Sequence, residues 1–256
     1  MPNALIGYTG FVGGNLRRQA PFEGLYNSKN VDSIAGQTYD LVVCAGAPAE
    51  KWKANRNPEA DRKVIGNLTA ALEQVNAAQV VLISTVDVYP TPVEVDEGTD
   101  IDSEHAQPYG RHRFGLEVFL TARFNTLVVR LPGIYGTGLK KNVIFDLLNG
   151  NNLEVVHADS VFQFYGLDRL WADVQAALNA RLRLVNFATE PVSVQEVAKE
   201  AFGTEFHNRP AETNPARYDV RTRFAEVLGG RDGYLETKEQ VLAGISAFVK
   251  KQRGPK

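Results

Sequence analysis

The chain has 256 residues, 44% hydrophobic and 23% charged, which suits a soluble globular protein with one substantial core or one core plus a small lobe. A net charge of −2 without a long basic run points away from nucleic acid or a membrane surface as partner, and no apolar run reaches the ~20 residues of a bilayer span. The single cysteine excludes an internal disulfide, the N-terminus lacks a signal-peptide pattern, and His105, His112, His157 and His207 have no metal-site spacing, so the expectation is a cytoplasmic protein without bound metal.

The first apolar run, "ALIGY", reads as a strand, and a helix is predicted over 14–20. Between them Gly7, Gly10 and Gly13 form G-x-x-G-x-x-G. In that context a glycine loop brings backbone N–H groups and a helix N-terminus up to a pyrophosphate. Gly7, Gly10, Phe11, Val12 and Gly13 are therefore candidate dinucleotide-binding residues. About 20 residues beyond the first glycine, an acidic residue would bind the ribose diol of NAD. The chain instead reads "LYNSKN" there. Asn27, Ser28 and Lys29 suit a 2′-phosphate better than a diol, which favours NADP with NAD still possible; the same residue types also make a plain surface turn.

The next strand, "DLVVCAG", places Cys44 at a buried position and ends on the small residues Ala45, Gly46 and Ala47, over which a cofactor can pass. Residues 56–77 carry Val64, Leu68, Ala71, Leu72 and Val75 at helical spacing, and Trp52 reads as a packing residue. "QVVLIST" is a strand, 109–124 a helix, "FNTLVVRLPG" a strand, Trp171–Leu182 a helix and "LRLVNFA" a strand. Trp171 also reads as packing, and Glu117, a lone charge on a predicted helix, as a solvated surface residue. This alternation predicts an α/β fold, a Rossmann-type doubly wound parallel sheet. The expected division is a dinucleotide-binding domain over 1–138 and 158–190 and a smaller helix-rich lobe over 139–157 and 191–256. In that lobe Arg217, Arg221 and Arg223 suit either an anionic diphosphate or a solvated helix.

Three further segments carry a family resemblance. "ISTVDVYP" reads Ser84-Thr85-Val86-Asp87-Val88-Tyr89, "PYGRHRFGLE" runs from Pro108 to Glu117, and "RLPGIYG" spans 130–136. With the glycine loop, these resemble the S-[ST]-x-x-V-Y, P-Y-[GA]-x-S-K-x-x-x-E and R-x-x-x-[IV]-[YF]-G motifs of the extended short-chain dehydrogenase/reductase family, the nucleotide-sugar epimerases and dehydratases. "FQFYGLDRLWADV" and "NFATEPVSVQEVA" match later family segments, so the resemblance covers nearly the whole chain.

The resemblance implies Tyr-assisted hydride transfer at a sugar carbon of a nucleotide sugar, with NADP or NAD, in a protein that forms homodimers. Tyr109 would be the acid/base, Thr85 its partner on the substrate oxygen, and Arg113 would stand where the family has lysine, one helical turn from Tyr109. Ser84, Tyr109, Arg113, Pro132, Gly133 and Ile134 would contact cofactor, and Asp87 and Arg217 substrate. A cation near the phenol would lower its pKa from about 10. The arginine keeps the charge but never loses its proton, so two readings stay open: a working enzyme, or a non-catalytic sensor or partner-binding protein of the same fold. Dehydratases follow the threonine with Asp-Glu; Val86-Asp87 here points away from a 4,6-dehydratase and leaves an epimerase or a carbonyl reductase. Asp87 is equally suited to be a turn or capping residue.

Overall fold

The computed structural model of the protein describes residues 2–254. In chain order the elements are β1 (Asn3–Ile6), α1 (Phe11–Gln19), β2 (Gly24–Tyr26), β3 (Thr38–Cys44), α2 (Lys51–Arg56), α3 (Pro58–Glu73), β4 (Asn76–Thr85), β5 (Val93–Val95), α4 (Pro108–Arg123), β6 (Thr126–Leu131) and β7 (Gly133–Tyr135). They continue with α5 (Val143–Asn149), β8 (Val161–Phe162), β9 (Phe164–Gly166), α6 (Leu170–Asn179), β10 (Leu184–Asn186), β11 (Val192–Ser193), α7 (Val194–Phe202), β12 (Asp219–Val220) and α8 (Lys238–Arg253).

Two compact units result. The first comprises Met1–Thr91, Gly98–Leu131 and Leu170–Val185. Its six-stranded sheet has the order β10-β6-β4-β3-β1-β2, and β1 pairs in parallel with both β2 and β3. The β3–β4 and β4–β6 pairs are parallel too, as a doubly wound α/β fold requires. Strands covered on both faces carry unbroken apolar runs, and Val80–Ile83 and all of Thr126–Leu131 are buried. Cys44 is fully buried in β3, and burial pushes its thiol up to about 11, so it packs rather than reacts.

Two helices of this unit position the site. In α3, the Asn57 side chain accepts from the Ala60 N–H, Pro58 follows at the first turn, and Glu59 and Asp61 lie near the positive helix end. Pro108 likewise opens α4. The predicted helix over 56–77 is shorter in fact, since α3 stops at Glu73 and Asn76 already begins β4. The short helix α2 leaves Trp52 59% exposed, so Trp52 is no packing residue. Trp171 packs edge-on against Phe22.

The second unit comprises Pro92–Glu97, Pro132–Arg169 and Asn186–Lys256. Its core gathers Ile144, Phe164, Val197, Val241 and Ile245 around α5, α7 and α8. Both α7 and α8 start with a capping box, Ser193 with Glu196 and Thr237 with Gln240. The unit takes in residues 92–97, 132–138, 158–169 and 186–190, which the expected division kept with the sheet. The reason is strand pairing: β5 pairs with β12 and β7 with β9, both inside this unit.

Candidate functional site

The sheet order reverses between β1 and β3, and parallel α/β sheets bind ligands at the carboxyl ends of the strands at such a point. Gly7 leaves β1 with φ +86°, and its N–H donates to the Tyr26 carbonyl at 2.7 Å. A Cβ on Gly7 would lie 2.3 Å from the Ala45 carbonyl oxygen, and one on Gly13 would lie 2.1 Å from that of Gly7. Neither position accepts a side chain, so α1 packs closely on β1 and the loop offers bare backbone. Helix α1 begins at Phe11, ahead of the predicted 14–20, with Gly10 as its cap and no side-chain cap bond. Its first internal hydrogen bond runs from Gly14 N–H to the Gly10 carbonyl, which leaves the N–H groups of Phe11, Val12 and Gly13 outside the helix ladder. No acidic residue occupies this first turn. These are the features of an anion-binding helix end, and they fit a pyrophosphate.

Beside it, β2 ends in a turn. Asn27 Oδ1 accepts from the Lys29 N–H at 2.9 Å, and the Asn27 N–H donates to Asn30 Oδ1 at 2.7 Å. Asn27 therefore holds the turn, while Ser28 and Lys29 are exposed. At the end of β3, Ala45 N–H donates to the Ile6 carbonyl at 2.9 Å, and a Cβ on Gly46 would lie 3.0 Å from Ile6.

The third strand end carries the acid/base candidates. Thr85 closes β4, and its hydroxyl accepts from the Asp87 N–H at 3.1 Å. Tyr109, in the first turn of α4, is 8% exposed, and its N–H donates to Asn55 Oδ1 of α2 at 3.0 Å. Burial raises the phenol above its ordinary value. The Arg113 charge opposes this, Asp87 adds to it, and Lys51 and the Thr85 hydroxyl oppose it. The implied lowering is thus not met: burial outweighs the cations, and the phenol holds its proton at neutral pH.

Arg113 is buried and almost fully engaged. Its Nη1 donates to Asp61 Oδ2 at 2.5 Å, and its Nη2 to Asp61 Oδ1 at 2.9 Å and to the Pro48 carbonyl at 2.5 Å. Nη1 also reaches the Tyr109 carbonyl at 3.2 Å, and the guanidinium carbon lies 3.9 Å from the centre of the Tyr109 ring. The arginine therefore covers the ring of Tyr109 and ties α4 to α3. Only its Nε, buried, has no partner among the described residues. Asp61 also meets His112 Nδ1 at 2.7 Å. Burial works to raise the Asp61 carboxyl, but hydrogen bonds from Arg113 and His112 prevail and hold it below the usual range.

Sequence reasoning missed Lys51, whose Nζ lies 2.7 Å from Asp87 Oδ1, and Asp61. It also misplaced Glu117, which is buried rather than solvated. Arg130 Nη2 donates to Glu117 Oε2 at 2.6 Å, Ser84 Oγ donates to Oε1 at 2.5 Å, and Arg130 Nη1 donates to the Tyr89 hydroxyl at 2.8 Å. Ser84, offered as a cofactor contact, is thus turned toward Glu117. An arginine inside the apolar strand "TLVVRL" was the available signal, since a buried guanidinium needs a carboxylate.

The remaining candidates lie in the second unit. Pro132 is buried, while Gly133 and Ile134 pair with Phe164 and Tyr165. Arg217 is exposed, Arg221 pairs with Asp219 at 3.4 Å, and Arg223 with Asp96 at 2.8 Å. The segment runs through β12 and not the solvated helix considered from sequence.

The sequence matches no family model and no curated protein. Solved structures do match. An NAD-dependent NDP-hexosamine 5,6-dehydratase of tunicamycin biosynthesis is 20% identical, with TM-score 0.77 over 100% of this chain and 99% of that one. A dTDP-4-dehydrorhamnose reductase from Clostridium acetobutylicum is 18% identical, with TM-score 0.74 over 99% and 100%. A UDP-glucose 4-epimerase from Thermotoga maritima, solved with UDP-glucose, is 17% identical, with TM-score 0.73 over 99% of each chain. The chain has the fold of these enzymes. That Rossmann-type fold puts the glycine loop, the Ala45–Ala47 turn and the Thr85 end of β4 on one edge of the sheet.

Proposed function

We propose that the chain is an NAD(P)-dependent oxidoreductase or epimerase of the extended short-chain dehydrogenase/reductase family, acting on a sugar carbon of a nucleotide sugar. The observation that carries this reading is Tyr109, a buried phenol beside Thr85 on the sheet edge that also bears the glycine loop. Gly7, Gly10 and the Phe11–Gly13 N–H groups would hold the pyrophosphate, with Ala45–Ala47 beneath. The exposed Ser28 and Lys29 suit the 2′-phosphate of NADP. When bound, the nicotinamide supplies or takes up a hydride.

The protein's own groups handle the proton. Tyr109, protonated at neutral pH, gives its proton to the substrate oxygen as a carbonyl is reduced. The charges of Arg113 and Lys51 stabilise the phenolate left behind, and the Thr85 hydroxyl shares the substrate oxygen. Asp87 is the proposed substrate contact within the sheet-bearing unit.

The proposed assembly is a homodimer. Val64 of α3 and Val118 of α4 are exposed, and two such helices meeting their symmetry mates make a four-helix bundle. Sedimentation should show a dimer; a monomer at tens of micromolar removes this part. Among the described residues no helix is long and apolar enough to cross a membrane, and the proposed location is the cytoplasm.

Arg113 favours a second reading. Its bidentate bond to Asp61 takes the place of a mobile lysine, which would suit a protein that binds dinucleotide without turnover. Native mass spectrometry followed by a nucleotide-sugar panel separates the two. Retained NADP(H) with oxidation or reduction that Tyr109→Phe abolishes supports the enzyme. Retained cofactor with no turnover supports the binding protein, and no dinucleotide binding removes both.

A further inference from the structure

The charges around Tyr109 form two pairs of unequal freedom. On α4, Arg113 lies against the ring, but it is 3% exposed and locked by two bonds to Asp61 of α3. It cannot lose its proton, and its position is fixed. The second pair is Lys51 of α2 and Asp87 of the turn after β4, joined at 2.7 Å, with side chains 42% and 19% exposed. Thr85 is the remaining polar group that acts on the phenol.

Two packing features keep the Lys51–Asp87 pair beside Tyr109. The Tyr109 N–H donates to Asn55, which lies one helical turn from Lys51 on the same face of α2. Gly110 sits on the Asp87 main chain, where a Cβ would come within 2.0 Å of the carbonyl oxygen. Helix α2, the Asp87 turn and the start of α4 are thus tied together at this residue.

We propose that Lys51 is a positioning residue of the site: its ammonium, held by Asp87, supplies a second and less constrained positive charge, beside that of the locked Arg113, against which the Tyr109 phenol gains and loses its proton. The inference rests on Tyr109 being the acid/base, but its test runs without substrate. An opposite charge close by favours the ionised phenol, and a like charge disfavours it. Lys51→Met removes the ammonium, keeps the Asp87 charge and raises the titration midpoint of the phenol. Asp87→Asn removes the carboxylate charge, keeps the ammonium and lowers it. Lys51→Arg restores the wild-type midpoint.

The experiment is fluorine NMR of protein labelled with 3-fluorotyrosine, a phenol more acidic than tyrosine, with Tyr109→Phe assigning the resonance. The expected result is that order of midpoints, with melting temperatures unchanged because both side chains reach solvent. A midpoint indifferent to Lys51→Met and Asp87→Asn overturns the proposal, as does Lys51→Arg moving it as far as Lys51→Met. So does a Tyr109 that titrates in none of the variants, Asp87→Asn included, below the pH of alkaline unfolding. Should the midpoints move as expected while no nucleotide sugar is turned over, the enzymatic reading fails and the electrostatic role of Lys51 stands. With a working substrate, Lys51→Met should lower kcat on the order of tenfold with KM little changed, and Lys51→Arg should recover it.

Discussion

Among the described residues, the buried guanidinium–carboxylate pairs Arg130–Glu117 and Arg113–Asp61 of the sheet-bearing unit are built differently. The Arg130–Glu117 pair is closed: the carboxylate takes N–H groups from Arg130 and the hydroxyl of Ser84, and the second guanidinium arm meets Tyr89. The Arg113–Asp61 pair is open. Arg113 has carbonyl partners at Pro48 and, one turn back on its own helix, at Tyr109, with a ring beneath it, yet its Nε is orphaned. A buried donor without an acceptor costs about 1–3 kcal/mol. A closed pair fixes β4, α4 and β6 together and needs nothing more. An open pair leaves one buried donor unmet and carries that cost.

The largest expected effect follows from that difference. Glu117→Ala leaves Arg130 buried with only the Tyr89 hydroxyl, and removing one partner of a buried pair costs about 3–5 kcal/mol. Asp61→Ala leaves Arg113 two carbonyl acceptors, so its cost should be smaller. Denaturant unfolding of both variants checks this, and the reverse order would contradict the distinction between closed and open. Next comes the acid side. The Asp61 carboxyl is held below its ordinary value in the folded chain, so its stabilisation is fully present above about 3.9, the unfolded value, and is lost as pH falls through the folded one. Asp61→Asn should lose that part of the acid dependence of the unfolding midpoint; an unchanged slope would show that Asp61 is not so held.

The contrast between the pairs also marks where sequence reading reaches. The glycine loop was legible because much of its physics is local: Gly7 needs positive φ, and Gly13 has no room for a Cβ against the Gly7 carbonyl six residues back. The order of strands and helices was legible for the same reason, since period and burial are written in adjacent positions. Thr85 and Tyr109 were found through a resemblance, not through spacing. Lys51 and Asp61 were not legible, because each meets its partner across a long stretch of chain with no pattern joining them. Glu117 was misjudged because a lone charge on a helix is usually solvated, and its partner lies on another strand. Arg221 and Arg223 likewise turned out to face carboxylates within the second unit.

Away from both pairs, the β2 turn allows a test in which neither takes part. Lys29 is exposed at the end of that strand, and a charge-assisted bond to a 2′-phosphate is worth about 1.5–3 kcal/mol. Lys29→Ala should weaken NADPH binding by that amount in calorimetry and leave NADH nearly unchanged. Equal losses would remove the preference for NADP.

The smallest expected effect is at Arg113 itself. Arg113→Met is a poor probe, because it strands the Asp61 carboxylate in the interior and tests folding before chemistry. Arg113→Lys keeps a cation for Asp61. It loses one of the two fork contacts and the stacking on Tyr109, the latter about 0.5–2 kcal/mol. Against this, it removes the orphaned Nε, a relief of about 1–3 kcal/mol. These contributions oppose one another, so the net loss of stability should be smaller than that of Asp61→Ala, as denaturant midpoints can read. Turnover should be kept or raised, since an ammonium is mobile and can exchange a proton where a guanidinium cannot. A much larger loss of stability would mean that the planar fork is what holds α3 to α4. Activity present only in Arg113→Lys would mean a sound pocket disabled by this one residue, and it would turn the open pair from a working feature into the relic of one.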